Sequence, residues 1–299
     1  MKKGFLSVAI ALWALVLAAV IGLTVYSVHG GFGDMAGTGS LIKNEDIFLG
    51  NIQNIVVEAS SQAVELRKIA GDKMKVSQYG NPKTRNEKLF LFTVSDDNVH
   101  IYFEKKWHFD IFNFNINEKL IIEIPEDFKG NLKAGTSSGG VKSEDGFILN
   151  DVKLYSSSGG VRVNGNLTAN SLDATTSSGG IHIGNADVQT YYLQSSSGGI
   201  KAEGLSGGGE AKTSSGGIQL SLVEPKGDIK LTSSSGGIKV MLEPLLQFTL
   251  DARVSSGGIH TNFAAEKSDN GKKATAKVGD NPAANIIART SSGGIRVEN

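Results

Sequence analysis

No cysteine occurs in the 299-residue chain, which excludes a disulfide framework, a thiol nucleophile and any thiolate metal site. Proline is nearly as scarce, five residues against 38 glycines, so the glycine excess is not the mixed proline and glycine bias of a disordered chain. Thirty basic residues balance thirty acidic ones, and that balance removes the electrostatic footprint of a nucleic-acid binder. The five histidines, His29, His100, His108, His182 and His260, stand at no metal-ligand spacing, and neither a His-Glu-x-x-His pair nor an acidic calcium loop is present. No metal and no cofactor is expected. Helical periodicity is missing between Ile47 and Gly130.

What the chain has in abundance is one phrase. Ser-Ser-Gly-Gly followed by Ile or Val occurs eight times, at Ser137, Ser157, Ser177, Ser196, Ser214, Ser234, Ser255 and Ser291, in steps of 20, 20, 19, 18, 20, 21 and 36 residues. A fixed period of this length marks stacked units, none of which buries its apolar face alone. The residue after Gly-Gly is always β-branched, from Val141 to Ile295, and three residues before the first serine stands only Ala or Leu, from Ala134 to Ala288. Both columns read as core, and Lys133, Lys153, Asp173 and Lys230 alternate with apolar neighbours at the period of a strand. The alternation changes phase across Gly-Gly, so a tight corner lies there. Glycine supplies positive φ or close backbone approach, and the serines are expected to bond nearby backbone or the same serine one coil away. Each period therefore holds two short strands and a polar return such as Asn164-Gly165-Asn166. Identity column by column favours a parallel β-solenoid of about 20-residue coils over an antiparallel meander, because only coils that repeat about 4.8 Å apart bring like residues together.

Four regions follow. Residues 1–28 hold Lys2, Lys3 and the charge-free apolar run Phe5 to Val28, long enough to cross a hydrocarbon layer of about 30 Å as a helix. The two lysines place the N-terminus in the cytoplasm and the remainder outside. The run is longer than the core of a signal peptide and no small-x-small cleavage site follows, so an uncleaved single-pass anchor is expected. Residues 29–45 are a glycine-rich linker; Gly31-Phe32-Gly33 there echoes a dinucleotide fingerprint, but no strand precedes it. Residues 46–130 read as irregular β coils that cap the array, and residues 131–299 as the repeat itself. Inside the cap, Trp107 and Phe109 lie in the most aromatic stretch of the chain, either filling the core or facing a membrane or partner. The polar segment Thr261 to Asn285 is expected to be a protruding hairpin or a coil without the phrase.

The apolar N-terminal helix, the strand-rich region closing on Ile124-Pro125, and Gly135-Thr136-Ser137-Ser138-Gly139-Gly140-Val141 with its successors resemble the bacterial putative-adhesin β-strand-repeat family of unknown function. Within that group the chain is most similar to the membrane-anchored LiaG-type proteins, which accompany envelope stress responses in Gram-positive bacteria. The resemblance covers roughly residues 46 to 299 and implies a β-solenoid in the cell envelope, with no catalytic residues to carry over. The family's phrase often has Asp or Asn after a single glycine, whereas this chain has Gly in every copy.

Catalytic signals are weak. Gly135-Thr136-Ser137-Ser138-Gly139 matches a nucleophile elbow formally, but that elbow needs a strand entering a helix, and here it belongs to a repeated corner. A polysaccharide-cleaving β-helix needs paired acids or a calcium cluster, and no repeat column is acidic. Two non-enzymatic classes stay open, a ligand-binding or sensing surface of the envelope and a structural or adhesive spacer; a membrane partner protein is compatible with either. One outward column stands out: Lys142, Arg162, His182, Lys201, Gln219, Lys239, His260 and Arg296. Stacked about 4.8 Å apart, such side chains repel unless anions intervene. The column is either a stripe for an anionic envelope polymer or phospholipid headgroups, or a solvated face relieved by Glu144, Glu203 and Glu298.

Overall fold

The computed structural model describes residues 39–81, 88–104 and 118–299. Among them the chain is all-β, without an α-helix, and no helix is long and apolar enough to cross a membrane. The Phe5–Val28 run, most of the glycine-rich linker, and Trp107 and Phe109 lie outside the described residues.

Strands Asn131–Thr136, Asp151–Ser156 and the second half of Leu167–Thr176 pair in parallel, one coil on the next, with Ala134 opposite Leu154 and Leu154 opposite Ala174. These form side one of the stack. Val141, Val161, Ile181, Ile200, Ile218 and Ile238 form the matching ladder of side two. The polar return contains a third, shorter side that the period-two reading does not isolate. There Phe147 pairs with Leu167, Leu167 with Ala186, Ala186 with Leu205 and Leu205 with Leu222. Every residue of the three ladders is at most 7% exposed, and burying each Val, Ile or Leu contributes about 1.5–3 kcal/mol only when a neighbouring coil covers it.

The corner departs from expectation in its chemistry. The two serines of each phrase are exposed from Ser137 to Ser235, and their backbones carry the ladder, as in Ser158 N–H donating to Ser137 O at 3.0 Å. The polar hub is instead the residue before the phrase. The hydroxyls of Ser156, Thr176, Ser195, Thr213, Ser233 and Thr290, all buried, donate to the first glycine carbonyl of the coil below at 2.7–3.1 Å. Several also accept from their own glycine, as Thr176 does from Gly179 N–H at 3.1 Å. The first glycine is required by close approach: a Cβ on Gly159 would lie 2.2 Å from Gly139 O and 2.5 Å from its carbonyl carbon.

Order along the stack is not order along the chain. The last coil, Ala284–Glu298, does not extend the end. It lies between Ile229–Leu242 and Phe248–Thr261, with Leu231 opposite Ala288, Ala288 opposite Ala252, and Ile295 between Ile238 and Ile259. The N-terminal side repeats the device, since Asn54–Ala59 lies between Asn98–Tyr102 and Asn131–Thr136, and Ala63–Ile69 between Lys119–Pro125 and Val141–Ser143. Each inserted coil is held on both edges by chain far away in sequence, a closure whose entropy cost grows only slowly with loop length.

Antiparallel strands finish both ends. Lys73–Gly80 pairs with Lys119–Pro125, and Ser40–Phe48 pairs with Lys73–Gly80; among the described residues the first strand thus begins at Ser40, inside the stretch read as linker. At the other end the polar segment is a hairpin, Glu266–Ser268 with Lys273–Val278, laid antiparallel on Phe248–Ser256 rather than protruding. Its turn is Asp269-Asn270-Gly271, all at positive φ. Lys272 Nζ donates to Gly257 O at 2.6 Å and Lys267 Nζ to Ile259 O at 3.3 Å. The two ammonium groups thus occupy carbonyls that an incoming strand would need.

Candidate functional site: outward rows of side two and side one

The basic column is a physical row on side two. Lys142 pairs with Arg162, Arg162 with His182, His182 with Lys201, Lys201 with Gln219 and Gln219 with Lys239. Because the last coil inserts, the row then runs Lys239, Arg296, His260, reversing the final two positions from their sequence order. His182 and His260 are consequently five coils apart, roughly 24 Å. No group of three or more His, Asp and Glu able to hold a metal ion occurs among the described residues.

The row brings its own counter-charges. Lys142 is ion-paired to Glu144, Lys201 Nζ lies 2.7 Å from Glu203, Arg296 Nε lies 3.7 Å from Glu298, and Glu203 and Glu298 also face His182 at 3.7 Å and His260 at 3.5 Å. Hydrogen bonding and charge from Lys201 hold Glu203 below the usual carboxylate range. Burial pushes Glu144 up, but the Lys142 ammonium and the Asn164 amide outweigh it and leave the carboxyl lowered. Burial lowers His182, and the positive Arg162 beside it lowers it further against the opposing pull of Glu203. Lys142, Lys201 and Arg296 thus each carry an acid from their own coil, while Arg162 and Lys201 still disfavour a proton on His182.

Side one carries a second cluster that the columns do not single out. Glu58 accepts from Lys133 Nζ at 2.8 Å and from the Tyr155 hydroxyl at 3.4 Å, and its other oxygen lies 3.3 Å from His100 Nε2. Lys133, first by hydrogen bonding, holds Glu58 low, whereas burial and then Glu58 itself push the Tyr155 phenol up to about 12. An asparagine ladder closes the corner between sides three and one: Asn131 Nδ2 donates to Asn54 at 2.7 Å, Asn150 to Asn131 at 2.8 Å, and Asn170 to Asn150. That ladder was readable, since Asn131, Asn150 and Asn170 recur at the repeat period. The partners of Glu58 come from strands up to 97 residues away, and no period links them.

The Gly135–Gly139 segment is followed by strand Val141–Ser143 and not by a helix, so it lacks the context of a nucleophile elbow.

In-register coils with paired outward charges and a core of Ile, Val, Leu and Ala ladders define an all-β, toastrack-like repeat scaffold. The chain belongs to the Toastrack DUF4097 family, whose model matches residues 52–298. No curated protein matches it. Among solved structures it is similar to a putative adhesin from Bacteroides fragilis, at 17% identity over 86% of this chain and 97% of that one with a TM-score of 0.50. Another similar structure is a putative adhesin from Parabacteroides distasonis, at 13% identity over 88% and 98% with a TM-score of 0.46. A putative lipid binding protein from the same species follows at 12% identity over 85% and 96%, with a TM-score of 0.40. At these identities the likeness is one of fold.

Proposed function

We propose that the chain is a non-enzymatic module of the bacterial cell envelope, anchored by the Phe5–Val28 run with its coil stack outside the membrane, and that the stack presents its outward rows to a ligand. The observation that carries this reading is register. Side chains of like position stand about one coil apart on sheet whose core is closed from end to end, which offers repeated, pre-positioned contacts to an extended partner. The adhesin name of the Bacteroides fragilis structure supports the same reading, and a link to envelope stress rests on the LiaG-type resemblance. An anionic wall polymer or phospholipid headgroups would have to displace Glu144, Glu203 and Glu298 from the basic row, so contact there is salt-sensitive and weak per coil. That internal pairing favours a second reading, a spacer whose side two is simply solvated.

The test is retention of the full-length chain, in detergent micelles, on purified anionic wall polymer and on anionic vesicles. It is compared with a variant carrying Lys142→Gln, Arg162→Gln, Lys201→Gln and Lys239→Gln. Retention that falls with salt and with these substitutions supports ligand contact through side two; retention unchanged by both removes side two from the binding surface. Protease added outside spheroplasts should release the stack, and recovery of mature chain beginning near residue 30 in the medium would refute the anchor.

A further inference from the structure

The Glu58 cluster has a shape as well as a charge pattern. Tyr102, Glu58, Gly135 and Tyr155 follow one another across four adjacent strands in a single outward row of side one. His100 and Lys133 come from the row beside it. A Cβ placed on Gly135 would lie 2.1 Å from Cζ of Tyr155 and 2.3 Å from both of its Cε carbons. Closeness to Cζ and to both Cε atoms puts the face of the ring on the Gly135 backbone, and the half-buried Tyr155 turns its other face away from the sheet. All three nearest atoms belong to that ring, so the missing side chain makes room for the tyrosine of the next coil. Beside the phenol hydroxyl Glu58 is fixed by Lys133 and His100, and Lys133 Nζ lies over the Tyr155 ring, 5.6 Å from its centroid. The His100 ring lies 5.0 Å from that of Tyr102. The side chains of Glu58, Lys133 and His100 are 41%, 40% and 39% exposed, so the group is open to solvent.

We propose that this group is a saccharide subsite for a neutral pyranose unit of an envelope or surface glycan. A flat aromatic face turned away from the sheet matches the C–H face of a sugar ring, and a carboxylate and an ammonium held beside it match the equatorial hydroxyls, the former accepting and the latter donating. Both polar groups are held in place before any ligand arrives, so little side-chain freedom is lost on binding. Charge decides between ligand classes. The carboxylate sits at the centre of the group and its charge is balanced by Lys133, which disfavours a phosphate-bearing polymer and leaves an uncharged hydroxyl-rich ring as the fitting partner. The subsite rests on the ligand-presenting reading above and places one contact of it on side one.

The experiment uses the full-length chain in detergent micelles with three probes, the tetramer of N-acetylglucosamine, cellotetraose, and a glycerol-phosphate polymer, read by saturation-transfer NMR and titration. At least one neutral tetrasaccharide is expected to bind, with ring protons receiving the strongest transfer. Tyr155→Ala is expected to weaken that binding about tenfold or more, as loss of an aromatic anchor does. Gly135→Ala, which lifts the ring without removing it, should weaken it several-fold, while Lys277→Gln on the distant strand Lys273–Val278 leaves it unchanged. Circular dichroism and the melting temperature of each variant check the fold, and should Tyr155→Ala fail to fold, Gly135→Ala and Glu58→Gln carry the test. No transfer to either tetrasaccharide, an unchanged affinity in the folded Tyr155 or Gly135 variant, or binding of the glycerol-phosphate polymer alone would each overturn the subsite. Retention on cells or wall material that persists in Tyr155→Ala, without saccharide binding, overturns the subsite and leaves ligand presentation standing.

Discussion

A methyl group added at a corner tests the whole account of the repeat. In Gly159→Ala the new Cβ would meet Gly139 O at 2.2 Å, the Gly139 carbonyl carbon at 2.5 Å and Gly140 N at 2.7 Å. All three are backbone, so no side chain can swing away. Restoring ordinary contact needs the two coils to separate by roughly 1 Å at the corner, where 3.4 Å and beyond is relaxed. Such a shift stretches Ser158 N–H to Ser137 O, now 3.0 Å, and Ser156 Oγ to Gly139 O, now 2.7 Å. Two hydrogen bonds at about 1 kcal/mol each, added to overpacking of about 1–3 kcal/mol, give a loss of about 3–5 kcal/mol. Ser158→Ala removes only an exposed hydroxyl with no protein partner among the described residues and should stay within about 0.5 kcal/mol. Thr176→Val, which takes the hydroxyl partner from the half-buried Gly159 carbonyl and Gly179 N–H, should cost about 1–3 kcal/mol. Urea denaturation followed by circular dichroism on the three variants gives the order. Equal losses for Ser158→Ala and Gly159→Ala would refute close approach as the reason for the glycine.

Three further outcomes follow from the same contacts. His182 has a folded pKa below its ordinary 6.5, so the unfolded chain takes up more protons just below pH 6.5; stability should fall as pH drops through that window, and His182→Gln should flatten the fall in denaturation midpoints. Glu58 is held low by Lys133, so its contribution is present above the ordinary carboxylate pKa and disappears as pH falls through the lowered one; Glu58→Gln should blunt acid destabilisation below about pH 4.5. Replacing Lys267 and Lys272 by Ala uncovers the carbonyls of Gly257 and Ile259 and should raise self-association, measured as a concentration-dependent shift in sedimentation, with little change in melting temperature.

Much of the molecule was legible in one dimension because its contacts repeat at one coil. Residues that touch across coils are separated by one period, so the columns Ala134 to Ala211 and Val141 to Ile238 reveal both the partners and the register of their strands. The phase change at Gly-Gly located the corner for the same reason. The hydroxyl before each phrase is equally visible, present in seven of eight copies with Val254 as the exception, but nothing in the columns tells its role from that of the serines, which bond across coils through their backbones. Alternation shows which face a residue takes. It does not show which of several hydroxyls reaches a carbonyl one coil below.

The composition and period of this chain alone determined that it is a β repeat with Ile, Val, Leu and Ala inside, glycine at each corner and a basic column outside, because local propensity and like-on-like stacking both act within a single period. Tertiary structure alone decided the rest. The order of the coils is settled by which edge strand finds a partner, so that Ala284–Glu298 inserts ahead of Phe248–Thr261 and exchanges the places of His260 and Arg296. The pairing of Glu203 with His182 and of Glu298 with His260 is settled by which coils become neighbours. The Tyr155 ring meets Gly135 one period away, but Glu58 and His100 join them only because their strands become neighbours in space, a proximity that a period of about 20 residues cannot encode.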